Sequence, residues 1–402
     1  MRDIKPILSA LRRSKAGAVL LFLQVALTTA IVSNATFMIN ENLTYLKEDT
    51  GYLQQDIFSF TVMTFGKDIN LSQQAEFDEA MIRSIPGVIN ASLSHVVPLS
   101  GGGSSTSARL KPLPEKSKEA RLAYFYADEN ALETFGVKLI AGRNFRPEEI
   151  VISDNFHDDG PNTIIVSKML AENLFDDGAG LGESLYVSGR ALEIIGIVDV
   201  MESAWPRADD SGTTGIIPFI NAQNYQHFLV RTESNERDNV MKLIEDTMLQ
   251  AYNKRVIINV DGLDESKNSY DAADVLMMRM LIVLVVILVL VTALGIFGLT
   301  QFNISKRTKQ IGTRRAIGAR KSAIVRYFLV ENAIVCTVGL VLGSVAAVFL
   351  GRVLMQTYSI EALELPYVVL TAFFMLTVSL LAVVVPAVRA ANISPSIATR
   401  SI

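Results

Sequence analysis

The stretch NISKRTKQIGTRRAIGARKSAIVR, residues 303–326, decides how this chain is read. It carries eight Lys/Arg (Lys306, Arg307, Lys309, Arg314, Arg315, Arg320, Lys321 and Arg326) and no Asp or Glu. Long apolar runs flank it. Met280–Leu299 holds no charged residue, and Tyr327–Leu350 holds one, Glu331. A short basic segment between two runs of that length marks a cytoplasmic loop joining two membrane spans.

Working outward, four segments are long and apolar enough to cross about 30 Å of hydrocarbon as helices of about 20 residues. They are 16–39, 275–302, 327–354 and 367–388. Half of the 402 residues are hydrophobic and 19% are charged. The net charge of −4 averages two unlike parts. Residues 40–275 hold 20 Lys/Arg against 37 Asp/Glu, a net of −17; the remainder holds 17 against 4, a net of +13. The positive-inside rule then predicts a multi-pass membrane protein and fixes its orientation. Residues 1–15, the 303–326 loop and the tail 389–402 are expected in the cytoplasm. Residues 40–274 and the short loop 355–366 are expected on the opposite, outer side. The N-terminal run exceeds the 7–15 apolar residues of a signal-peptide core, so an uncleaved anchor is expected. The single cysteine, Cys336, falls in the third span and leaves the exported domain without a disulfide.

The exported domain reads as an α/β subdomain split by an insert. Ile57–Phe65 and Val88–Val97 are strand-like and bracket a helical pattern over 72–84, with Asn70 or Ser72 as its N-cap. Tyr225–Thr232, Asn235–Tyr252 and Val256–Val260 repeat the strand–helix–strand order. The subdomain is therefore placed at 56–120 and 215–262. Between them, 121–205 reads as a mainly β insert containing one helix near 167–175, capped by Ser167. Gly101–Gly103 is expected to be a flexible loop, since no Lys-Ser/Thr follows at phosphate-binding spacing. The predicted fold is an α-helical membrane protein with four transmembrane helices and a large α+β exported domain.

Motifs of catalysis are missing. His95, His157 and His227 have no metal-ligand spacing, and Phe156–Asp159 reads as a solvated acidic loop. No nucleotide-binding, zinc-protease or nucleophile-elbow motif occurs, so no metal site and no catalytic residue is assigned. The chemistry concentrates in the basic loop. Gln310–Ala319 forms a short helical pattern, with Gly318 placed to end it in left-handed geometry. Ile304 and Ile311, and Ile317 and Ile324, stand one heptad apart. In the third span Gly339, Gly343, Ala347 and Gly351 recur every fourth residue, a spacing that lets helix backbones approach closely. Glu331 is positioned to anchor at the interface or to pair with a loop arginine.

Lys306–Ala319, followed by Ile324–Glu331 and a glycine-rich span, resembles the signature of the FtsX-like, MacB-type ABC transporter permease family. Phe135–Phe145, Ile164–Lys168 and Ile194–Asp199 resemble the periplasmic core of the same family. The resemblance implies a bacterial inner-membrane protein whose α+β domain, residues 40–274, is periplasmic: a non-catalytic permease that mechanically couples ATP hydrolysis in a separate ATPase subunit to periplasmic movement. That movement would export or extract peptides, antibiotics or lipids. An FtsX-type signal transmitter that activates a periplasmic enzyme is the alternative. ATP and Mg are expected in the partner ATPase, with no cofactor on this chain. Further implied partners are a second permease, alike or paralogous, and a periplasmic adaptor with an outer-membrane channel. The coupling helix would consist of Gln310, Ile311, Gly312, Arg314, Arg315, Ile317 and Gly318, with Ile311 and Ile317 packed into the ATPase. The family usually has Glu where Gln310 stands, and MacB-type proteins carry a fused ATPase that residues 1–402 lack.

Overall fold

The computed structural model describes residues 15–66, 69–153, 160–176, 180–358 and 363–394. Most of the expected N-terminal segment, the Phe156–Asp159 loop, residues 359–362 and the end of the tail lie outside the described residues. The chain divides into two compact units, a membrane unit of residues 1–46 and 274–402 and a hydrophilic unit of residues 47–273. The first helix, α1 (Lys15–Tyr45), belongs to the membrane unit.

The hydrophilic unit opens with β1 (Ile57–Thr64), α2 (Leu71–Arg83) and β2 (Val88–Ser94). Of the two candidate caps for α2, Asn70 serves; its side chain accepts from the Gln73 amide at 3.2 Å. The chain then leaves the first sheet through β3 (Ser104–Arg109), β4 (Glu119–Tyr126), α3 (Ala131–Phe135), β5 (Leu139–Gly142) and β6 (Val151–Ile152). It continues through β7 (Thr163–Ser167), α4 (Lys168–Leu174), β8 (Ser184–Val187), β9 (Arg190–Val198), β10 (Thr214–Ile217) and β11 (Phe219–Ile220). It returns as β12 (Tyr225–Thr232), α5 (Arg237–Ala251), β13 (Arg255–Gly262) and α6 (Leu263–Tyr270).

β1, β2, β12 and β13 form one antiparallel sheet in the order β13-β1-β12-β2. Each strand–helix–strand half thus contributes a strand between the two strands of the other, a split βαβ pair. Side chains alternate across the sheet. Phe58, Phe60, Val62, Phe228 and Val230 pack with Ile82 of α2 and Ile244 and Met248 of α5. On the opposite face Ile57 and Leu229 join Phe125, Phe135, Ile165 and Ile216 from the insert.

The insert is a barrel. β9-β7-β10-β4-β3-β8 are paired in that order, and β8 pairs with β9 to close the ring, while β5 extends the far end of β9. Closure removes the exposed edges of a mixed sheet. Alternation divides its apolar residues as well: Ile164 and Val166 pack with Leu170 and Leu174 of α4, whereas Ile165 lies in the other core. The expected insert of 121–205 is too narrow, because β3 and β10 are barrel strands and the insert runs from Ser104 to Ile217. Ser104–Arg109 reads Ser-Ser-Thr-Ser-Ala-Arg, with almost nothing apolar to betray a strand. Gly101–Gly103 is held rather than loose. The Gly101 amide donates to the Ala204 carbonyl at 2.7 Å, and a Cβ on Gly103 would stand 2.6 Å from that of Ala204. Glycine here permits a close approach of two chain segments.

The membrane unit is completed by α7 (Ala272–Lys306), α8 (Thr308–Ala316), α9 (Lys321–Tyr358) and α10 (Leu365–Ala391). Helices α1, α7, α9 and α10 are long and apolar enough to cross a membrane. At about 1.5 Å per residue, α7 is roughly 50 Å long and exceeds the hydrocarbon thickness. Polar side chains are turned toward neighbouring helices. Thr28 and Thr292 share a hydrogen bond of 2.8 Å, the Asn34 amide donates to the Ala347 carbonyl at 3.0 Å, and Asn332 donates to the Ser379 carbonyl at 3.3 Å.

Candidate functional site

The basic loop is built on a break in one helix and a seat provided by the next. Helix α7 ends at Lys306, and Arg307 leaves helical geometry with φ −109° and ψ 12°. The Arg307 guanidinium donates to both carboxylate oxygens of Glu331 on α9, each at 2.9 Å. Both contacts come from one guanidinium nitrogen, Nη1, and are charge-assisted, the stronger class of hydrogen bond. The pair therefore ties the α7–α8 corner to α9.

Beyond the corner, α8 runs for nine residues and carries no acid. Ile311 is 5% exposed and packs among Ile304, Ile324 and Phe328, with Ala387 and Ala390 of α10 in the same cluster. Gly312, next to it, is buried as well. Ile317 is 82% exposed. Gln310 and Arg314 are exposed and Arg315 is half-buried. The Arg314 guanidinium lies 5.1 Å from the centre of the Tyr327 ring, and Arg315 donates to the Ala319 carbonyl at 2.8 Å. Two bonds close the helix: the Gly318 amide donates to the Arg315 carbonyl at 3.1 Å, and the Ala319 amide to that of Arg314 at 3.0 Å. This is the Schellman arrangement, and it requires the φ of +95° that Gly318 adopts.

One expectation is corrected here. Ile311 does not stand outward with Ile317; it is the residue that seats α8 on α9 and α10. Ile304 and Ile311 enter one apolar cluster across the break at Arg307, so their meeting is set by the turn of the chain and not by helical spacing. Arg307 and Phe328 were not singled out as site residues, although the lone carboxylate at Glu331 pointed to a loop arginine.

The small-residue stripe on α9 faces α1. A Cβ on Gly339 would lie 2.8 Å from the Phe22 carbonyl oxygen, and one on Gly343 would lie 2.6 Å from that of Ala26. Ala347 is fully buried. A Cβ on Gly351 would stand 3.0 Å from the Asn34 side-chain oxygen. The contact is within one chain, between its first and third spans. Among the described residues no three His, Cys, Asp or Glu gather as a metal-binding group.

Four spans, a split α+β domain interrupted by a barrel, and a short basic helix between the second and third spans make this a multi-span membrane protein with a large extramembranous domain. Comparison with known proteins agrees. Residues 17–252 match the MacB-like periplasmic core domain and residues 282–395 match the FtsX-like permease C-terminal domain. The chain belongs to the MacB/FtsX-like family of ABC transporter permeases. Among its relatives is the macrolide export ATP-binding/permease protein MacB of Neisseria meningitidis serogroup A, 21% identical over 236 residues. That match covers 58% of this chain and 36% of the relative. The corresponding protein of Shewanella sp. (strain ANA-3) is 24% identical over 289 residues, covering 64% of this chain and 44% of the relative. The chain thus spans less than half the length of these relatives. Similar solved structures include the extracellular domain of the noncanonic ABC-type transporter YknZ from Gram-positive bacteria, at 17% identity and TM-score 0.33. It covers 50% of this chain and 100% of that one. The periplasmic region of MacB from Actinobacillus actinomycetemcomitans matches at 13% identity and TM-score 0.33, covering 57% of this chain and 98% of that one.

Proposed function

We propose that this chain is the permease subunit of a MacB-like ABC transporter, and that α8 is the element through which a separate ATPase drives it. The observation that carries this reading is the two-sided build of α8. One side, Ile311 and Gly312, is seated on the spans, while Gln310, Arg314 and Ile317 are left exposed on a helix with no acidic residue. A partner with an apolar pocket rimmed by carboxylates fits that surface. Force applied to α8 would pass to α9 through the Arg307–Glu331 pair and the Ile311 seat, and to α7 across the corner at Arg307. The resulting movement of the 40–274 domain, on the periplasmic side, would push or extract peptides, antibiotics or lipids. ATP and Mg would be bound by the ATPase. A second permease copy or paralogue, and an adaptor with an outer-membrane channel, complete the proposed assembly, with both termini of this chain in the cytoplasm.

The test is copurification with ABC ATPases drawn from the products of neighbouring genes, reading ATPase stimulation in lipid nanodiscs. Ile317→Asp combined with Arg314→Glu is expected to abolish binding and stimulation while leaving thermal unfolding of the permease unchanged. Ile311→Asp is expected to lower the unfolding temperature itself, because it puts a charge into an apolar seat. Normal binding and stimulation by the Ile317/Arg314 double variant would sink the coupling role of α8.

A further inference from the structure

A groove of about 440 Å³ opens on the membrane unit, between the end of α9 remote from the basic loop and the start of α10. Val345, Val348, Phe349 and Arg352 of α9 and Leu365 and Val368 of α10 line it. Its volume lies within the range of about 300–1,000 Å³ common among ligand sites.

The groove is fitted to one leaflet. Between Glu331 and Arg352, α9 holds 20 residues without a charge, Asn332–Gly351. They make about 30 Å of helix, the thickness of the hydrocarbon. Glu331 is spent at one border on Arg307, and Arg352 stands at the other. From Arg352 the groove follows α9 inward as far as Ser344, about 12 Å, against roughly 15 Å of hydrocarbon in a single leaflet.

Arg352 is exposed and makes no ion pair, hydrogen bond or ring contact among the described residues. Glu364, which precedes Leu365 in the chain, is exposed and forms no ion pair with it. A guanidinium at the hydrocarbon border presents five N–H donors and draws its counter-charge from the headgroups. Phosphate oxygens match its fork geometry. An apolar groove crowned by one such cation selects a flexible apolar chain below one anionic group. An acidic headgroup meets the cation without competition, whereas a zwitterionic headgroup carries its own cation beside the phosphate.

A helix of a second copy suits the groove less well. Close helix packing relies on small residues. On α9 those residues, Gly339, Gly343 and Ala347, are already turned toward α1. The groove wall offers Val, Phe and Leu instead, an uneven surface that an acyl chain can follow. Its floor lies at a junction, since Val368 is buried with Ala30 of α1 and Ala347 of α9.

We propose that this groove is a binding site for an acidic phospholipid, with the phosphate on Arg352 and one acyl chain against Val345, Phe349 and Leu365. A lipid there would fasten α9 to α10 over the point where both meet α1. The site does not depend on how α8 is driven.

The experiment uses the full chain in phosphatidylcholine nanodiscs doped with chain-brominated phosphatidylglycerol or chain-brominated phosphatidylcholine. The chain has one tryptophan, Trp205. Trp205→Phe with Phe349→Trp therefore reports quenching in the groove alone. Trp205→Phe with Leu290→Trp reports an exposed position on α7 as the control. In the groove, half-quenching is expected at about fivefold less brominated phosphatidylglycerol than brominated phosphatidylcholine, the weight of one cation beside an acidic lipid. The control is expected to show no preference. Arg352→Gln is expected to remove the preference in the groove with the unfolding temperature retained. The proposal is overturned if the two lipids quench the groove reporter alike, if the preference survives Arg352→Gln, or if the control shows the same preference. It is also overturned if neither lipid quenches the groove reporter, which would put a protein surface, such as a second copy, over the groove.

Discussion

The two units of this protein differ in what they leave outside and in the polar groups they bury between elements. In the hydrophilic unit Phe58, Phe60 and Phe228 are fully buried between a sheet and two helices. In the membrane unit Phe349 is 70% exposed, with Leu294 and Phe373 similarly outward, while Thr28, Asn34, Thr292 and Ser379 are buried. The difference follows from the solvent. Water drives apolar surface inward. Lipid is as apolar as leucine, so helices associate through close backbone approach and hydrogen bonds instead. Glycine and asparagine hold the spans together; phenylalanine holds the sheet.

That contrast can be broken first at its strongest point. Phe60 stacks on Phe228 with ring centres 5.3 Å apart, and Phe60→Ala is expected to cost about 3–5 kcal/mol in unfolding of the hydrophilic unit. Phe349→Ala is expected to cost less than about 1 kcal/mol in the same nanodisc preparation. Equal losses would refute the assignment of Phe349 to a lipid-facing surface. Next in size, Gly343→Val forces atoms toward the Ala26 backbone and is expected to destabilise the α1–α9 contact by about 1–3 kcal/mol. Thermal unfolding of the membrane unit reads this, and Val341→Ala, outward on the same helix, is the control.

A third test concerns charge rather than volume. Burial and the neighbouring Asp128 carboxylate push Glu79 up to about 10, outweighing the opposing Arg83 guanidinium at 3.0 Å. The folded state keeps a proton that the unfolded chain releases near the ordinary carboxylate pKa of about 4.3. The associated stability is complete below that value and is lost as pH rises toward about 10. Glu79→Gln is expected to remove this loss, gaining on the wild type by about 1 kcal/mol or more between pH 6 and pH 9 in denaturant titrations. A gain independent of pH would place the proton elsewhere. The smallest effect is expected at Gly318, where nothing stands within 4 Å of an added Cβ and only the φ of +95° resists it. Gly318→Ala should cost about 1 kcal/mol and fray the end of α8, read by hydrogen exchange of the Gly318 and Ala319 amides.

The elements legible in the sequence were those with a strong local signal. The four apolar runs, the βαβ order of both sheet halves, and Ser167 as a cap all have one; the Ser167 hydroxyl accepts from the Leu170 amide at 3.2 Å. The β3 strand has none. Its Ser/Thr-rich sequence is a strand because β4 and β8 flank it, and the barrel could not close without it. Ile311 was legible as an apolar residue on a basic helix, but not the direction it faces. That depends on the break at Arg307, which turns α8 back onto Ile324 and Phe328.

By itself the sequence determined the number of spans, the basic helix with its glycine stop, and membership of a permease family, because length, charge and φ > 0 are properties of a residue and its near neighbours. Tertiary structure alone decided which isoleucine seats the helix and that the small residues of the third span meet the first. Those depend on pairings between positions tens to hundreds of residues apart, and local pattern carries no information about which distant surface will cover a side chain.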